Sequence, residues 1–252
     1  MELPSDRKTG LGSKTLLLLV AFVATNFIPR IATFAKNRLF FLFWRMDPDA
    51  VFVPSFIHHI IQGLIAFAII AIVARIQRKP LREFGFNMSQ SRWSLKATGI
   101  FCIIWIIVYC GGAALFIPPT QTLTFPNNIR NIVGNLLYML TMPGPSEEIL
   151  FRALPYMILG FAWTGSIKIF SLALSHKAII TAVLFAIAHI GFNFFPFQIY
   201  YIDATQQVLA FSLGLFYGYM FDKTGSLLGP VLVHAASDFL GSVAVTAVVL
   251  LK

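Results

Sequence analysis

The sequence predicts an all-α protein, a polytopic transmembrane bundle of seven to eight helices that forms a single domain over residues 1–252. Two observations carry this prediction. Hydrophobic residues make up 58% of the chain and charged residues only 12%, whereas soluble domains have about 45–50% and about 25%. The apolar residues also fall into runs that approach or exceed about 20 residues, the length that a helix needs to cross a bilayer.

Apolar runs follow one another along most of the chain. They cover residues 15–35, 52–74, 97–117, 131–142 joined to 146–162, 178–195, 204–221 and 226–251. Pro143-Gly144-Pro145 interrupts the fourth run, because a proline inside a helix removes a hydrogen bond and clashes with the preceding turn. One broken span or two separate segments would result, so the expected count is seven to eight. A β-barrel is excluded, since its strands would show short segments of alternating polarity.

Positive charges lie in the connections between the apolar runs, and the net charge is +9. If the Pro-Gly-Pro break lies within one kinked span, residues 1–14, 75–96, 163–177 and 222–225 share one side of the membrane and hold 12 Lys and Arg, whereas the opposite side holds 6. The side richer in Lys and Arg normally faces the cytoplasm. We therefore expect a cytoplasmic N-terminus in a bacterial or archaeal plasma membrane, contact with membrane lipids, and no nucleic-acid partner.

Three short patches of ionisable residues lie within the apolar runs of the C-terminal half. An ionisable side chain at the centre of a span costs about 2.5–3.5 kcal/mol, so it persists where it faces the protein interior and has a partner or a function. The first patch holds Glu147, Glu148 and Arg152. Pro145 and Ser146 predict a helix start with Ser146 as N-cap. The two glutamates would then lie in the first turn, where the helix dipole favours negative charge.

Glu148 and Arg152 are four residues apart and therefore face each other on a helix, whereas Glu147 is turned by about 100°. The spacing predicts that one carboxylate pairs with the arginine and that the other is left available. Taken alone, the patch is equally compatible with a capped helix that has a solvated acidic end and one ion pair.

His189 is the polar residue of the second patch, and Phe185 lies one turn earlier on the same face, where it could wall a site. A lone histidine among apolar residues is more often a hydrogen-bonded core residue than a ligand. In the third patch His234 and Asp238 share one helix face. They could bind a metal together, or Asp238 could orient the imidazole. A buried pair that holds two helices together is the alternative.

Together the patches supply two glutamates, two histidines, an aspartate and an arginine inside a membrane domain. Such a set suits the activation of water, because a carboxylate can accept a proton from water and imidazoles can hold a metal or stabilise an oxyanion. His58 and His59, by contrast, are adjacent and cannot share a helix face. We expect them to be interfacial, near the start of the second span.

The three patches resemble the CAAX-protease and bacteriocin-processing family of intramembrane endopeptidases, also called the CPBP or Abi family. Its pattern is Glu-Glu-x-x-x-Arg, Phe-x-x-x-His and His-x-x-x-Asn or Asp on successive transmembrane helices. The chain carries these motifs as Glu147-Glu148…Arg152, Phe185…His189 and His234…Asp238. Segments 78–86 and 223–227 are also similar to the family. The resemblance covers about 75–250, the expected catalytic core, and leaves 1–75 as an N-terminal pair of spans that resembles the family less.

The resemblance implies an endopeptidase that hydrolyses a peptide bond within or beside the bilayer. Glu147 would activate the water, with Glu148 assisting or paired to Arg152, while Arg152 and Phe185 would support the site. His189, His234 and Asp238 would bind a divalent metal such as zinc, or the two histidines would stabilise the oxyanion. Asp238 stands where many members have Asn, and its negative charge would favour a cation there.

The implied substrate is a peptide or protein. It is either prenylated, as in CAAX processing, or carries a leader, as in bacteriocin maturation and self-immunity.

Two other functions stay open at this point. A proton- or ion-coupled transporter would also use intramembrane Glu, His and Arg, and the Pro-Gly-Pro break is similar to a discontinuous transporter helix. The chain shows no repeated halves, and its ionisable groups cluster late, which counts against transport. The third hypothesis is a catalytically silent membrane scaffold.

Overall fold

The computed structural model describes residues 10–118, 120–160, 162–169 and 172–251. Arg7 and Lys8, which contribute to the charge of the expected cytoplasmic end, lie outside the described residues.

Helices account for most of the described chain. They are α1 (Leu11–Leu39), α2 (Val53–Gln77), α3 (Ser91–Trp105), α4 (Ile129–Thr141), α5 (Pro143–Glu148), α6 (His176–Ala188), α7 (Ala204–Thr224) and α8 (Leu228–Leu251). A π-helical turn at Ile106–Cys110 continues α3 into a helical turn at Gly111–Phe116, and another at Ile149–Ala153 continues α5 into Leu154–Leu159. Short 3₁₀ turns at Phe40–Leu42 and Leu81–Phe84 follow α1 and α2.

Two antiparallel hairpins stand between helices. Strand β1 (Ser166–Ile169) pairs with β2 (Leu172–Ser175) before α6, and β3 (Gly191–Asn193) pairs with β4 (Gln198–Tyr201) after it. The predicted helical bundle is confirmed, but the prediction for the fifth apolar run, expected over 178–195, is wrong at its end. Its helix stops at Ala188 because the backbone leaves the helical conformation at His189 and enters β3.

Four helical segments are long and apolar enough to cross a membrane: Leu11–Leu42, Val53–Gln77, Ser91–Tyr109 and Leu228–Leu251. They mark the chain as an integral membrane protein. Helices α4 and α6 have 13 residues each, which gives about 20 Å at 1.5 Å per residue, less than the hydrocarbon core of about 30 Å. These two helices therefore reach only part of the way across.

The core lies around α5 and its continuation. Leu150 and Leu154 are fully or almost fully buried and belong to one cluster with Ile70 of α2, Met220 of α7 and Val233 of α8. Residues 141–159 thus run through the middle of the bundle, and their side chains can face several other helices at once.

The two loop segments that resemble the family contact each other at one end of the bundle. The backbone N–H of Leu227 donates to the Gly85 carbonyl oxygen at 2.9 Å, and Asn87 Nδ2 donates to the Gly225 carbonyl oxygen at 2.7 Å. Gly85 has φ +94°, a conformation that favours glycine. The α2–α3 connection is therefore fixed to the turn that precedes α8.

The Pro-Gly-Pro tripeptide forms a junction between two helices. Helix α4 ends at Thr141 and α5 begins at Pro143, with Met142 between them. The prediction that Ser146 is the N-cap is wrong, because the helix begins three residues earlier. The first turn therefore holds no acidic residue, and both glutamates lie in the second turn.

Gly144 allows α5 to approach α8 closely. A Cβ added there would lie 2.7 Å from the Val231 carbonyl oxygen and 3.3 Å from Ala235 Cβ. Ala235, the small residue next to His234, therefore lies at the point where the two helices meet.

Gly144→Ala tests this contact. The new methyl group would overlap a backbone carbonyl oxygen, so the two helices must separate, and we expect a loss of about 1–3 kcal/mol in the free energy of unfolding. Thermal unfolding of the purified protein in detergent measures it. Gly99→Ala is the matched control, because nothing lies within 4 Å of a Cβ added at that helical glycine, so it should be neutral or stabilising. Equal melting temperatures for both variants would contradict the close approach.

Candidate active site

A buried ion pair on α5 and its continuation lies at the centre of the site. Arg152 Nε is 3.2 Å from Glu148 Oε2, and both side chains are fully buried. The guanidinium lies over the rings of Phe185 and Tyr217, 5.0 and 5.4 Å from their centroids, and Nη1 donates to the Phe151 carbonyl oxygen at 3.1 Å. The predicted pairing of Glu148 with Arg152 is therefore present.

His234 is held in one orientation by its neighbours. Its Nδ1 lies 2.8 Å from Glu148 Oε1 and donates to it, because an ionised carboxylate can only accept. The imidazole stacks on the Tyr217 ring at 4.9 Å and 18°, and the Tyr217 hydroxyl is hydrogen-bonded to Ser237 Oγ at 2.9 Å. The remaining ring nitrogen, Nε2, faces Glu147 and Asp238.

Glu147 and Asp238 are the partly exposed carboxylates of the site, with 19% and 29% of their side chains accessible. Glu147 Oε2 lies 3.7 Å and Asp238 Oδ2 lies 3.5 Å from His234 Nε2. With Glu148, three carboxylates surround one imidazole. Buried charge has to be balanced, so this arrangement favours a cation at that point, either the imidazolium itself or a metal ion.

His189 joins the site from the end of α6. Its Nδ1 donates to the Phe185 carbonyl oxygen at 2.8 Å, which leaves Nε2 as the ring nitrogen available to other groups. The Phe185 ring meets the His189 ring at 4.7 Å and the His234 ring at 5.6 Å between centroids. Phe185 therefore contacts the rings of both histidines.

All three sequence patches line one cavity of about 1010 Å³. It runs from Glu147, His189, His234 and Asp238 to the end of the bundle formed by the α1–α2 and α3–α4 connections. Its lining includes several aromatic side chains, among them Trp105, Tyr138 and Tyr201. This volume reaches the upper end of the range for ligand pockets, about 300–1,000 Å³, and leaves room for a short peptide segment.

Asp49 ties the α1–α2 connection to the start of α4 at the mouth of the cavity. Its Oδ2 accepts from Asn131 Nδ2 at 2.9 Å and from Arg130 Nη2. These hydrogen bonds lower the pKa of the Asp49 carboxyl group, and the bond from Asn131 has the largest effect. Since the folded state favours the ionised form, the stabilisation is present at neutral pH and is lost only as the pH falls below about 4, the ordinary value of the carboxyl.

His59 belongs to the site, although the sequence predicted an interfacial position for it. It is only 6% exposed, its Nδ1 lies 2.7 Å from Ser146 Oγ, and its Nε2 lies 2.8 Å from the Tyr138 hydroxyl. The same Nε2 is 3.9 Å from Glu147 Oε1. His58 points to α1 instead, so the two histidines occupy different faces as expected.

A periodic stripe on α2 was the signal that could have identified His59. The buried residues of this helix include His59, Gln62, Gly63, Ala66, Ile70 and Ala74. Small and polar residues at this spacing mark the packed face of a transmembrane helix. The stripe meets Ser146, since Gln62 Nε2 donates to its Oγ at 3.0 Å and a Cβ on Gly63 would lie 3.2 Å from its Cβ.

The predicted metal ligands His189, His234 and Asp238 all line the cavity. Among the described residues, no group of three or more His, Cys, Asp or Glu side chains is arranged to hold a metal ion. As they stand, these donors do not form the coordination sphere that zinc requires. The metal stays a prediction, and no step proposed below passes through it.

Comparison with known proteins gives one match. Residues 129–240 match the family model described as Type II CAAX prenyl endopeptidase Rce1-like. No curated protein and no solved structure matches the chain. The matched segment begins at the start of α4, ends within α8 and contains all three motifs, which confirms the resemblance seen in the sequence. Helix α2, with His59, lies outside it.

Arg152→Ala tests the buried ion pair. The substitution leaves the Glu148 carboxylate buried without its cation, which typically costs about 3–5 kcal/mol of stability, or a fall of roughly 6–20 °C in melting temperature. Lys79→Ala is the matched control. Lys79 also pairs with a glutamate four residues on, at 3.8 Å, but about half of each side chain is exposed, so about 0–1 kcal/mol is expected. Similar losses for the two variants would contradict the importance of burial.

Proposed function

Because residues 129–240 form an Rce1-like domain, we propose that the protein is an intramembrane endopeptidase that hydrolyses a peptide bond with a water activated by Glu147. The observation that carries this proposal is a division between two adjacent glutamates. Glu148 is fully buried and bound to Arg152 and His234, whereas Glu147 is partly exposed to the cavity. The family match favours hydrolysis over transport or a silent scaffold.

Glu147 is the better placed of the two glutamates to accept a proton. Both oxygens of Glu148 face cationic or hydrogen-bonding partners, Oε1 at His234 and Oε2 at Arg152. The histidine nitrogens that face Glu147 lie 3.7 and 3.9 Å from its oxygens, beyond hydrogen-bond distance. A water molecule in the cavity can therefore reach the Glu147 carboxylate.

The reaction would begin when the water oxygen adds to the substrate carbonyl carbon and its proton passes to Glu147. Negative charge then develops on the carbonyl oxygen. In its protonated form His234 has an Nε2–H to donate to this oxyanion, and His189 lines the same cavity. When the C–N bond breaks, Glu147 returns the proton to the leaving amine. The apolar surroundings strengthen each of these electrostatic interactions.

Other residues would act through the position and charge of His234. Glu148 fixes the imidazole, and Arg152 balances Glu148. Asp238, 3.5 Å from His234 Nε2, would favour a cation at the imidazole. Phe185 packs against its ring.

The position of the cavity mouth bears on the substrate. Residues 49–51 and 121–126 line one end of the cavity, at the opposite end of α1 from the N-terminus, and we take this end as its mouth. With the cytoplasmic N-terminus proposed from the Lys/Arg distribution, the mouth would face away from the cytoplasm. This orientation favours an exported, leader-bearing peptide over a prenylated protein, whose lipid is attached in the cytoplasm.

Glu147→Gln, His189→Ala and His234→Ala test the proposed reaction. We expect each folded variant to lose at least about a hundredfold in cleavage rate, because each removes a group from proton transfer or oxyanion stabilisation. Purified protein would be offered fluorogenic peptides that carry either a farnesylated C-terminal motif or an N-terminal leader, with products identified by mass spectrometry. Glu83→Gln, at an exposed glutamate, should keep the full rate.

Cleavage that survives in Glu147→Gln would refute the role of Glu147. The same assay with a zinc chelator addresses the metal. A loss that added zinc restores would support the predicted ligands, whereas a full rate with chelator would assign the reaction to the glutamate and histidines alone.

Cysteine labelling in intact cells tests the proposed orientation. In a background of Cys102→Ser and Cys110→Ser, Thr122→Cys at the cavity mouth should react with a membrane-impermeant maleimide. Ser89→Cys, at the exposed opposite end, should react only after lysis, because it would face the cytoplasm. The reverse pattern would contradict the cytoplasmic N-terminus and favour a prenylated substrate.

A further inference from the structure

We propose that His59 is a positioning residue for Glu147, so that α2 completes an active site whose other parts lie within the Rce1-like domain. The proposal rests on the proposed function of Glu147. His59 is buried, with only 6% of its surface exposed. Helix α2, which lies outside the family match, brings it next to Glu147.

The His59 imidazole joins the two sides of the Pro-Gly-Pro junction. Its Nε2 is hydrogen-bonded to the Tyr138 hydroxyl on α4 at 2.8 Å, and its Nδ1 to Ser146 Oγ on α5 at 2.7 Å. Because both ring nitrogens are occupied, the ring cannot turn without leaving a buried polar group unpaired, which is costly. The imidazole therefore holds the residues before and after the junction at a fixed separation.

Gln62 shares this network with His59. Its Nε2 donates to Ser146 Oγ at 3.0 Å, and His59 Nδ1 lies 2.7 Å from the same oxygen. The other ring nitrogen of His59, Nε2, therefore faces Tyr138 and Glu147.

Glu147 is flanked by one imidazole on each oxygen. His59 Nε2 lies 3.9 Å from Oε1, and His234 Nε2 lies 3.7 Å from Oε2. Two flanking groups restrict rotation of the carboxylate plane and direct it to the cavity. A general base acts efficiently only when it is held close to the productive geometry, and His59 supplies the restraint on the side away from His234.

Helix packing alone does not account for all the contacts of His59. Helices α2 and α5 already approach closely where a Cβ on Gly63 would lie 3.2 Å from Ser146 Cβ, and Gln62 already bonds Ser146. The contacts that packing does not explain are those of Nε2 with Tyr138 and Glu147. A glutamine at position 59 can place its amide near the Nε2 position, whereas an asparagine can place it near the Nδ1 position, towards Ser146.

His59→Leu, His59→Gln and His59→Asn separate positioning from packing. In the peptide cleavage assay, with the farnesylated and the leader-bearing probes, we expect His59→Leu to lower kcat about 10- to 100-fold, the range for residues that orient a reacting group. KM should change little, because His59 does not contact the substrate. His59→Gln should recover most of kcat, and His59→Asn should not. His58→Gln, on the neighbouring face, is the matched control and should resemble the wild type.

Two results would overturn the proposal in this assay. One is a wild-type kcat for His59→Leu, and the other is recovery by His59→Asn equal to that by His59→Gln, which would indicate packing through Ser146 alone.

A double-mutant cycle on thermal unfolding tests the same contact without catalysis. The melting temperatures of the wild type, His59→Leu, Glu147→Gln and the double variant should be non-additive by about 2–4 °C, because the two side chains interact. Additive shifts would overturn the proposal. The wild type could also cut neither probe while the four melting temperatures are non-additive. In that case the proposed function fails, but the interaction between His59 and Glu147 is supported.

Discussion

The ion pair between Glu148 and Arg152 is the constraint on which the site depends. Both side chains are fully buried, so neither charge can lose its partner without a large penalty. The second oxygen of Glu148 fixes His234 on α8, and the guanidinium lies over rings from α6 and α7. The buried ion pair and its contacts thus set the relative positions of the helices that carry the three motifs.

Two consecutive glutamates occupy different environments because a helix turns by about 100° per residue. The side chain of Glu148 faces the interior and is fully buried, while that of Glu147 is 19% exposed to the cavity. One carboxylate can therefore be structural and the other reactive without any separation along the chain. The same turn places His58 and His59 on different faces of α2, one towards α1 and one towards the site.

The sequence was informative wherever the relevant contact is local. The spacing of four residues predicted the pair of Glu148 with Arg152, and apolar length predicted the membrane helices. The buried position of His59 was missed because its partner Ser146 is 87 positions away and only the packing of α2 on α5 brings them together. The helix start at Pro143 was missed because proline, a breaker inside a helix, is well tolerated in the first turn.

The two prolines of the junction also reduce the number of backbone N–H groups that lack an acceptor at the start of α5. The first backbone N–H groups of any helix lack intrahelical acceptors, and hydrocarbon offers none. Within the described residues 143–146, the prolines carry no N–H, and the Ser146 N–H donates to the Met142 carbonyl oxygen at 3.2 Å. Gly144 alone in that stretch has a remaining donor. Helix α5 can therefore begin in apolar surroundings with almost no exposed backbone polarity, which would let the proposed base, Glu147, lie below the surface of the bilayer.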